Sequence, residues 1–534
     1  MKRNLIVLLL ALVMIFTLVA CGPKTPADQT PNTSPNPSAS STPSTSTNPG
    51  ASVTPPSSTE PVEISVAFKY FPNGLDPLSE DSGFNRAICY HIYDRLVTFD
   101  DVDNSMSPSI AKSWKQLDGM TWELEINLDD YVFQNGDKLS MDDIVFSIER
   151  LKDIPKTADT GNRIESVTYK GNILTIKFKE ENNTLMPMVF GITIIANKAY
   201  IEANGDEALF AKPIGTGPYQ VAEFIPGATV VLETWDGYTL PKPQIDKITI
   251  IVAAEDAARY MALETGQVHY TAWLTPFEIN LAEKDANLST YAADSRRIGT
   301  INFNCEKAPF NNVNLRRALA YAVDRDAFSV LQGGGRPVVK AALFAGYDLF
   351  TESSNLPNFD LEKAKELLAA EGYSTSNPLR FSMMSYAPID PGLELLQSTL
   401  KGIGVEMTID ALDIAVMMAR EAAGDFDANW ATPSNRGNNP LTDLDRVDIA
   451  FIGQRNTARY LNDRVQEIVA RMRVTTDQNE MKQLAVEVND IIGEEVPMVP
   501  VISYQSLAAM DKRLSGVTIS GEVIYNFRNA VFAD

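Results

Sequence analysis

The chain has 534 residues, and its 69 Asp and Glu outnumber 46 Lys and Arg, which gives a formal net charge of −23 at pH 7. An acidic surface of this kind disfavours nucleic acid as a partner. After the N-terminal segments the chain is too long for a single core, so we expect two or three packed lobes. Cys89 and Cys305 could pair or remain buried free thiols, and three cysteines do not suggest a disulfide scaffold.

The first residues have the pattern of a lipoprotein signal peptide. Lys2 and Arg3 give a positive start, and residues 5–19 form a nearly unbroken apolar run. This run is shorter than the about 20 residues of a membrane span, and it ends in small residues before Cys21. We therefore predict a signal peptide over residues 1–20 and lipidation of Cys21, with an uncleaved N-terminal anchor as the alternative. A diacyl anchor supplies the two chains that stable membrane attachment requires.

Residues 21–60 form the next compositional segment. After the cysteine they are almost entirely Pro, Ser, Thr, Asn, Gly and Ala. Such a sequence has too little apolar surface to offset the entropy of ordering the chain. We predict a disordered tether, which its prolines keep extended.

From residue 61 onward, strand-like and helix-like patterns alternate, which predicts an α/β fold. The stretches rich in β-branched residues predict strands at Glu63–Phe68, Trp122–Leu128, Ile173–Phe178, Thr229–Glu233, Ile245–Val252, Thr300–Asn304 and Val405–Ile409. The helical spacing predicts helices at Asn314–Asp326, Asp360–Ala370, Leu393–Gly402, Ile414–Ala423, Asn462–Met472 and Gln478–Ile492.

Two local motifs indicate turns and helix ends, not chemistry. Gly215 and Gly217 flank a turn before a strand that starts at Tyr219, and no Walker lysine follows them. Asp142 and Asp143 precede an apolar helical run, so we interpret them as charges at a helix N-terminus and not as a catalytic pair.

A series of motifs, in order along the chain, resembles family 5 of the extracellular solute-binding proteins, the dipeptide- and oligopeptide-binding group of ABC importers. The motifs are Leu75–Pro77, Tyr93–Leu96, Pro108–Trp114, Asp118–Trp122, Phe133–Asp137, Asp142–Ser147, Pro213–Tyr219, Trp235–Pro243, Asn302–Asn304, Pro309–Phe310, Arg316–Arg325 and Glu495–Pro500. The similarity runs from about residue 63 to the end of the sequence.

This resemblance implies a periplasmic-binding-protein-like α/β fold with two lobes, a hinge and a segment inserted in the first lobe. The ligand is then enclosed between the lobes by a hinge motion. The expected organisation is lobe I over residues 61–302 with an inserted subdomain at about 89–205, lobe II over 303–505, and a return to lobe I over 506–534.

The catalytic alternative has little support in the sequence. The only histidines are His91 and His269, and both are best interpreted as structural residues. There is no Gly-x-Ser-x-Gly or His-Glu-x-x-His motif, and Cys89 with His91 gives only two possible metal ligands. A pair of carboxylates acting as a glycosidase site is not excluded by counting acids. We expect no enzyme activity, no cofactor and no metal.

The resemblance also implies a residue that this chain lacks. Peptide binders of the family hold the α-ammonium of the ligand with an aspartate in a second-lobe loop shortly before Asp-Pro. Here the matching stretch runs from Trp430 to Pro440 and contains no acid, and Arg436 lies at or beside the aspartate position. We therefore expect Arg436 to face the cleft and favour a carboxylate or another anionic or polar group, unless it points into solvent or pairs with Asp443 or Asp445.

Three ligand classes stay open at this point. A peptide could be held by another acid such as Asp390 or Asp410, a saccharide would need stacking aromatics and amides, and a small anion or metal chelate would suit Arg436. The candidate ligand-binding residues are Arg436, Asn435, Trp430, Tyr386, Asn304 and Phe71, with Asn438 and Asn439 as further amides.

The resemblance implies the partners and the location. We expect a monomer, attached by its lipid to the extracellular or periplasmic face of the cell membrane, that delivers a peptide-like ligand to ABC permease subunits. A sensory lipoprotein that passes the ligand's signal to a membrane partner without import is the alternative.

Overall fold

The computed structural model describes residues 61–534 apart from 71–73, 77, 79–82, 100–104, 333–337, 345–346, 348, 350, 434–438, 520–524 and 534. The predicted signal peptide, Cys21 and the tether lie outside the described residues, and so do Phe71, Asn435, Arg436 and Asn438. Among the described residues, no helix has the length and apolar character needed to cross a membrane.

The strands form one large sheet and several small ones. They are β1 (Glu63–Phe68), β2 (Val97–Phe99), β3 (Met106–Pro108), β4 (Ala111–Gln116), β5 (Thr121–Ile126), β6 (Ile164–Lys170), β7 (Ile173–Phe178), β8 (Tyr219–Ile225), β9 (Thr229–Thr234), β10 (Lys247–Val252), β11 (Tyr270–Ala272), β12 (Leu288–Phe303), β13 (Leu379–Tyr386), β14 (Val405–Leu412), β15 (Ala428–Ala431), β16 (Met498–Asp511), β17 (Leu514–Ser515), β18 (Thr518–Ile519), β19 (Tyr525–Asn526) and β20 (Val531–Phe532).

Helices cover the faces of these sheets. They are α1 (Gly83–Ile92), α2 (Met141–Glu149), α3 (Ala158–Asn162), α4 (Leu185–Ile192), α5 (Lys198–Asn204), α6 (Ala208–Ala211), α7 (Asp256–Glu264), α8 (Pro276–Ala282), α9 (Val313–Tyr321), α10 (Arg325–Leu331), α11 (Leu361–Ala370), α12 (Pro391–Lys401), α13 (Ile414–Ala423), α14 (Asp463–Val474) and α15 (Gln478–Glu495).

The large sheet has ten strands in the order β14-β13-β15-β12-β16-β11-β1-β10-β9-β8. Its two longest strands, β12 and β16, pair antiparallel from Leu288 opposite Asp511 to Asn302 opposite Met498. We call these two strands the hinge ribbon. The first lobe contains β1 and β8–β11, the second lobe contains β13–β15, and the ribbon carries the chain between them. The predicted lobe boundaries stay predictions, because the ribbon strands run continuously across them.

The first lobe also holds the inserted segment, whose four-stranded sheet has the order β4-β5-β7-β6. Alternation of buried and partly exposed residues along β7 places Leu174, Ile176 and Phe178 in the core. The adjoining α2 begins at a capping box between Ser140 and Asp143, as the interpretation of its acidic start predicts. The inserted segment and the large sheet share one hydrophobic core.

The second lobe contains most of the predicted helices, with one correction. Asp360 caps α11 as predicted, because its side chain accepts a hydrogen bond from the Lys363 amide. The single helix predicted over Asn314–Asp326 is wrong. The chain forms α9 and α10 instead, since the Asp324 side chain accepts from the Ala327 amide and starts a new helix there.

The turn before β8 shows why glycine is required at two positions. A Cβ atom on Gly215 would lie 2.1 Å from the carbonyl oxygen of Ile92, and one on Gly217 would lie 2.6 Å from that of His91. The predicted strand does begin at Tyr219. The motif therefore packs the chain against the end of α1, and its glycines serve this close approach.

Candidate functional site

The facing edges of the two lobes define a cleft. β11 runs antiparallel to β16 and ends with Ala272 opposite Ala508, so its carboxyl end points towards the second lobe. β15 runs antiparallel to β12 and ends with Ala431 opposite Thr300, so its carboxyl end points towards the first lobe. Because β1 is parallel to β11 and β13 is parallel to β15, their carboxyl ends meet at the same two edges. Ligands of α/β proteins commonly bind at such strand ends.

An irregularity of the hinge ribbon aims a charged side chain into this region. The register of β12 against β16 shifts between Asp294 and Ile298. Within that bulge, the Nη2 atom of Arg297 donates to the Thr432 hydroxyl of the second lobe at 2.9 Å. The guanidinium also lies 5.4 Å from the ring centre of Tyr504. Bulges commonly redirect side chains next to functional sites, and here one joins the hinge to the end of β15.

A cavity of about 530 Å³ opens in the second lobe, and we call it the second-lobe pocket. It lies between α13, the ends of β13 and β15, and the segment around residues 451–457. Its lining residues are Asn302, Tyr386, Ile414, Met417, Met418, Glu421, Ala422, Ala431, Thr432, Pro433, Arg446, Phe451, Gly453, Gln454, Arg455 and Thr457. Thr432 belongs both to this lining and to the hinge contact, which places the pocket beside the cleft.

A chain of buried amides ends at the acid of this pocket. The Asn302 side chain donates to Asn429 Oδ1 at 2.7 Å, and Asn429 Nδ2 donates in turn to Glu421 Oε1. Both asparagines are buried and Glu421 is half-buried. Burial raises the pKa of the Glu421 carboxyl to about 7, although the hydrogen bond from Asn429 acts in the opposite direction.

A second cavity, of about 680 Å³, is lined by first-lobe elements and the start of β12, and we call it the first-lobe cavity. Its walls come from α1, the β2–β3 hairpin, residues 238–243, β12 and the C-terminal strands. The Arg528 guanidinium in its wall donates to buried Asp94 at 2.5 Å and to the carbonyl oxygens of Tyr90 and Tyr93. The guanidinium of Arg95 lies over the Tyr90 ring at 4.0 Å.

The structure separates the sequence-predicted site residues into different roles. Tyr386 lines the second-lobe pocket, and its hydroxyl is 3.2 Å from that of Thr432. Asn304 is a correction: it is buried, and its amide donates to the carbonyl oxygens of Gly424 and Phe426, so it is committed to the backbone.

Trp430 is a second correction. Its ring is 1 % exposed and packs within the core beside Phe328 and Gly299, so it presents no surface on which a ligand could stack. β15 is a central strand whose side chains point alternately to the two faces of the sheet, and the tryptophan points to the covered face. Phe71, Asn435 and Arg436 lie outside the described residues, and their roles stay predictions.

The two alternative acids already have other partners. Asp390 caps α12 and accepts a hydrogen bond from Gln332. Asp410 lies 3.7 Å from Arg420 in a surface ion pair. Glu421, which the sequence analysis did not single out, is the acid that lines the pocket. Its position near the end of a short helix carries no sequence signal for binding.

The histidines are structural. His91 Nε2 accepts from the Phe527 amide at 2.9 Å and Nδ1 lies 2.8 Å from the Ala87 carbonyl oxygen. Burial, and then Arg528, lowers the pKa of His91 to about 3, so the ring stays neutral. His269 Nδ1 accepts from the Ser65 amide. The described part of the chain contains no cluster of three or more His, Cys, Asp or Glu side chains that could hold a metal ion, and no disulfide joins Cys89 and Cys305 there.

The lobes also meet away from the hinge. The backbone amide of Asn183, in the inserted segment, donates to the carbonyl oxygen of Arg473 at 2.7 Å, and its side chain donates to that of Thr475 at 3.0 Å. The Asn439 side chain donates back to the Thr184 carbonyl oxygen at 3.4 Å. These bonds hold the two sides of the cleft together at the end of α14.

Comparison with known proteins matches the chain to a family model described as bacterial extracellular solute-binding proteins, family 5 Middle, over residues 105–457. The dipeptide-binding protein of Escherichia coli (strain K12) is 23 % identical over 497 residues, which cover 86 % of this chain and 92 % of that protein.

Solved structures show the same fold. A dipeptide-binding protein from Pseudoalteromonas sp. SM9913 in complex with Met-Leu superposes with a TM-score of 0.77 and 19 % identity, over 88 % of this chain and 100 % of that one. NikA from Staphylococcus aureus in complex with Ni(L-His)2 superposes with a TM-score of 0.72 and 20 % identity, again over 88 % of this chain and 100 % of that one. At these identities the likeness shows the two-lobed fold alone.

Proposed function

Because the chain belongs to family 5 of the bacterial extracellular solute-binding proteins, we propose that it is the substrate-binding lipoprotein of an ABC importer. In this role it captures a peptide-like ligand between its lobes and delivers the ligand to a membrane permease. The observation that carries the proposal is the cleft between the facing strand ends, spanned by the hinge ribbon and flanked by the second-lobe pocket. Closure about a hinge is the expected way for such a protein to enclose its ligand.

A peptide-like ligand is favoured because relatives that match most of the chain are named for dipeptides and glutathione. The pocket also offers what a peptide needs, namely an apolar wall, hydroxyl groups and one acid. NikA, in complex with a nickel–histidine chelate, shares the fold, so a small chelate or anion is the second candidate. A saccharide has less support, since the ring of Trp430 is not available for stacking.

Attachment and location belong to the same proposal. The apolar run before Cys21 and the tether up to residue 60 support a lipid-anchored protein on the outer face of the cell membrane. We propose that it acts as a monomer and catalyses no reaction. A sensory lipoprotein would have the same anchor and cleft, and the presence of neighbouring permease and ATPase genes would favour import.

The ligand class is tested with the protein as it is produced by its own organism. Mass spectrometry of molecules released on denaturation should identify a bound peptide, recovered chemically unchanged after long incubation. Thermal-shift screening of peptides, oligosaccharides and metal chelates should then show stabilisation by peptides, because a native-state ligand must raise the unfolding temperature. Stabilisation only by saccharides or chelates would reject the peptide, and turnover of the ligand would reject the binding-protein role.

Arg436 is proposed to contact a carboxylate or another anionic or polar group of the ligand. Replacing Arg436 with Ala should then weaken binding by about 1.5–3 kcal/mol, the contribution of a hydrogen bond to a charged group. Arg436→Lys should restore only part of the affinity, because lysine cannot make a two-pronged contact. Calorimetry with the identified ligand measures this, and an unchanged affinity in Arg436→Ala would show that the side chain points elsewhere.

A further inference from the structure

The second-lobe pocket contains one acid whose charge is not matched. Glu421 Oε1 accepts a hydrogen bond from Asn429 Nδ2, and within the described part of the chain its carboxylate takes part in no ion pair. The neighbouring helix residue, Arg420, instead contacts Asp410 and Asp425 on the outer surface. A half-buried carboxylate without a cation destabilises the folded protein unless another group compensates its charge.

The two arginines of the pocket wall do not supply that compensation. Arg446 donates to the carbonyl oxygen of Ala342 at 2.6 Å, and the charges of buried Asp443 and of Arg455 act on it in opposite directions. Arg455 lies 3.7 Å from Asp445. Each of these arginines therefore lies near an acid other than Glu421, and Glu421 is the acid of the pocket lining that no described cation pairs with.

The neighbouring amides hold this acid in a fixed direction. Asn429 is fully buried, and its side chain is itself held by Asn302. An asparagine that both accepts and donates fixes the orientation of the carboxylate plane, so the group is preorganised for a donor entering the pocket. Nothing in the packing of α13 requires an acid here, because this helix buries only Met417 in its core.

The rest of the wall of the second-lobe pocket is apolar and suits the aliphatic part of a ligand. Ile414, Met417 and Met418 of α13 and the ring of Tyr386 form apolar surface beside the acid. Methionine side chains adapt to ligands of different shape. A cavity of about 530 Å³ has room for one amino-acid side chain or for the first residue of a peptide.

We propose that the second-lobe pocket binds a primary ammonium group of the ligand, with Glu421 as its counter-charge. This inference rests on the proposed function and specifies its substrate class: a ligand with a free amino terminus or a lysine-like side chain. In this proposal Glu421 of α13 binds the ammonium group in place of the aspartate that is absent between Trp430 and Pro440.

The test uses calorimetry with four synthetic tripeptides and the wild-type and Glu421→Gln proteins. The first pair is trialanine and its N-acetylated form, which differ in the terminal ammonium. The second pair is N-acetylated Ala-Lys-Ala and N-acetylated Ala-norleucine-Ala, which differ in the side-chain ammonium. Wild type should bind the cationic member of one pair at least about tenfold more tightly, and Glu421→Gln should abolish that difference. The affected pair identifies the source of the ammonium.

A matched control removes a charge elsewhere in the same lobe. Glu406→Gln breaks an exposed pair with Arg380 and should leave all four affinities unchanged. In Glu421→Gln the new amide side chain keeps an oxygen that can accept from Asn429, so both variants should fold. Above pH 7 Glu421→Gln should unfold at a higher temperature than ligand-free wild type, because it removes a half-buried charge.

The outcomes distinguish this inference from the proposed function. If Glu421→Gln binds all four peptides as wild type does, the ammonium site is rejected while peptide binding stands. If wild type prefers neither cationic member, the ammonium site is likewise rejected. If wild type binds none of the four, the peptide ligand of the proposed function is rejected, and the ammonium site with it.

Discussion

The two cavities of this protein differ in how their charges are compensated. In the first-lobe cavity, Arg528 pairs with one carboxylate oxygen of Asp94, and the same guanidinium also donates to two carbonyl oxygens at the end of α1. In the second-lobe pocket, Glu421 has an amide for a partner but no cation within the described residues. The first-lobe cavity is the larger of the two, at about 680 Å³ against about 530 Å³. The cavity that we propose as a ligand subsite is therefore the smaller of the two.

The proposed ligand subsite is therefore chosen by charge compensation and not by cavity size. The ion pair between Arg528 and Asp94 joins the end of α1 to the C-terminal residues, so each of these two charges has an opposite charge within the protein. An oriented, half-buried acid next to apolar surface, by contrast, favours binding of a ligand group that carries a positive charge. Two changes test this distinction, because the first-lobe pair should govern stability and the second-lobe acid should govern binding. A third tests the contact between the lobes.

The largest effect is expected from breaking the first-lobe pair. Arg528→Ala leaves Asp94, which is 3 % exposed, without its cation, and should lower the free energy of unfolding by about 3–5 kcal/mol. Urea denaturation measures this loss. The control Arg513→Ala removes an exposed pair with Asp511 on the same C-terminal segment and should cost only about 0–1 kcal/mol. Equal losses in the two variants would contradict the structural role of the Arg528–Asp94 pair, and so would weakened ligand binding by folded Arg528→Ala protein.

An intermediate effect is expected from pH. The pKa of Glu421 is raised to about 7 in the empty pocket, and a bound ammonium should lower it by favouring the ionised form. Affinity for a tripeptide with an ammonium group should thus be greatest between pH 7 and the pKa of that ammonium, which is about 8 for a peptide terminus. Below pH 7 it should fall about tenfold per unit until the pKa of the complex is reached. Arg446 keeps its charge over this range, since burial lowers its pKa only to about 10.

Asp445, the partner of Arg455, complicates this profile because burial raises its pKa to about 6. The Glu421→Gln variant separates the two groups. If the affinity of the variant still falls steeply between about pH 7 and 5.5, the dependence belongs to Asp445 and not to Glu421. Stability should change in the opposite sense to affinity. Because the folded state holds the Glu421 proton more tightly than the unfolded chain does, the ligand-free protein should lose stability as pH rises through 7.

The smallest effect is expected at the contact that closes the cleft. Asn183→Ala removes the side-chain bond to Thr475 and should weaken ligand binding by about 0.5–1.5 kcal/mol, since closure then forms one bond fewer between the lobes. Small-angle scattering should show a larger radius of gyration for the ligand-free variant. Asn172→Ala, whose bond to Ile126 lies within the inserted segment, is the control. Equal binding losses in both variants would mean that the effect comes from stability and not from closure.

Much of the local structure could be predicted from the sequence, because it depends on neighbouring residues. The strands Glu63–Phe68 and Ile173–Phe178 and the helix Ile414–Ala423 have the predicted limits. Alternating β-branched residues define the two strands, and an Asp cap with a following left-handed glycine defines the helix. The prediction failed at β12, where only Thr300–Asn304 was expected. Its polar middle, around Arg297, does not alternate like a buried strand because it crosses the cleft.

The site was less predictable than the fold. Tyr386 lines the pocket. The predictions for Trp430 and Asn304 rest on residue type, and the sequence does not specify which face of the sheet each of these buried side chains occupies. Glu421 resembles any other acid on a surface helix. Its role emerges only because the fold brings Asn429, from the next strand, against it.

The sequence by itself determined the order of elements, the motifs of family 5 and the absence of an acid between Trp430 and Pro440, since these properties lie in short stretches of chain. Only the tertiary structure decided which polar groups share a cavity and which charges already have partners. Those relations depend on residues far apart in sequence, such as Asp94 with Arg528 and Asn302 with Asn429. Their cost or benefit is set by burial, which no single stretch of sequence specifies.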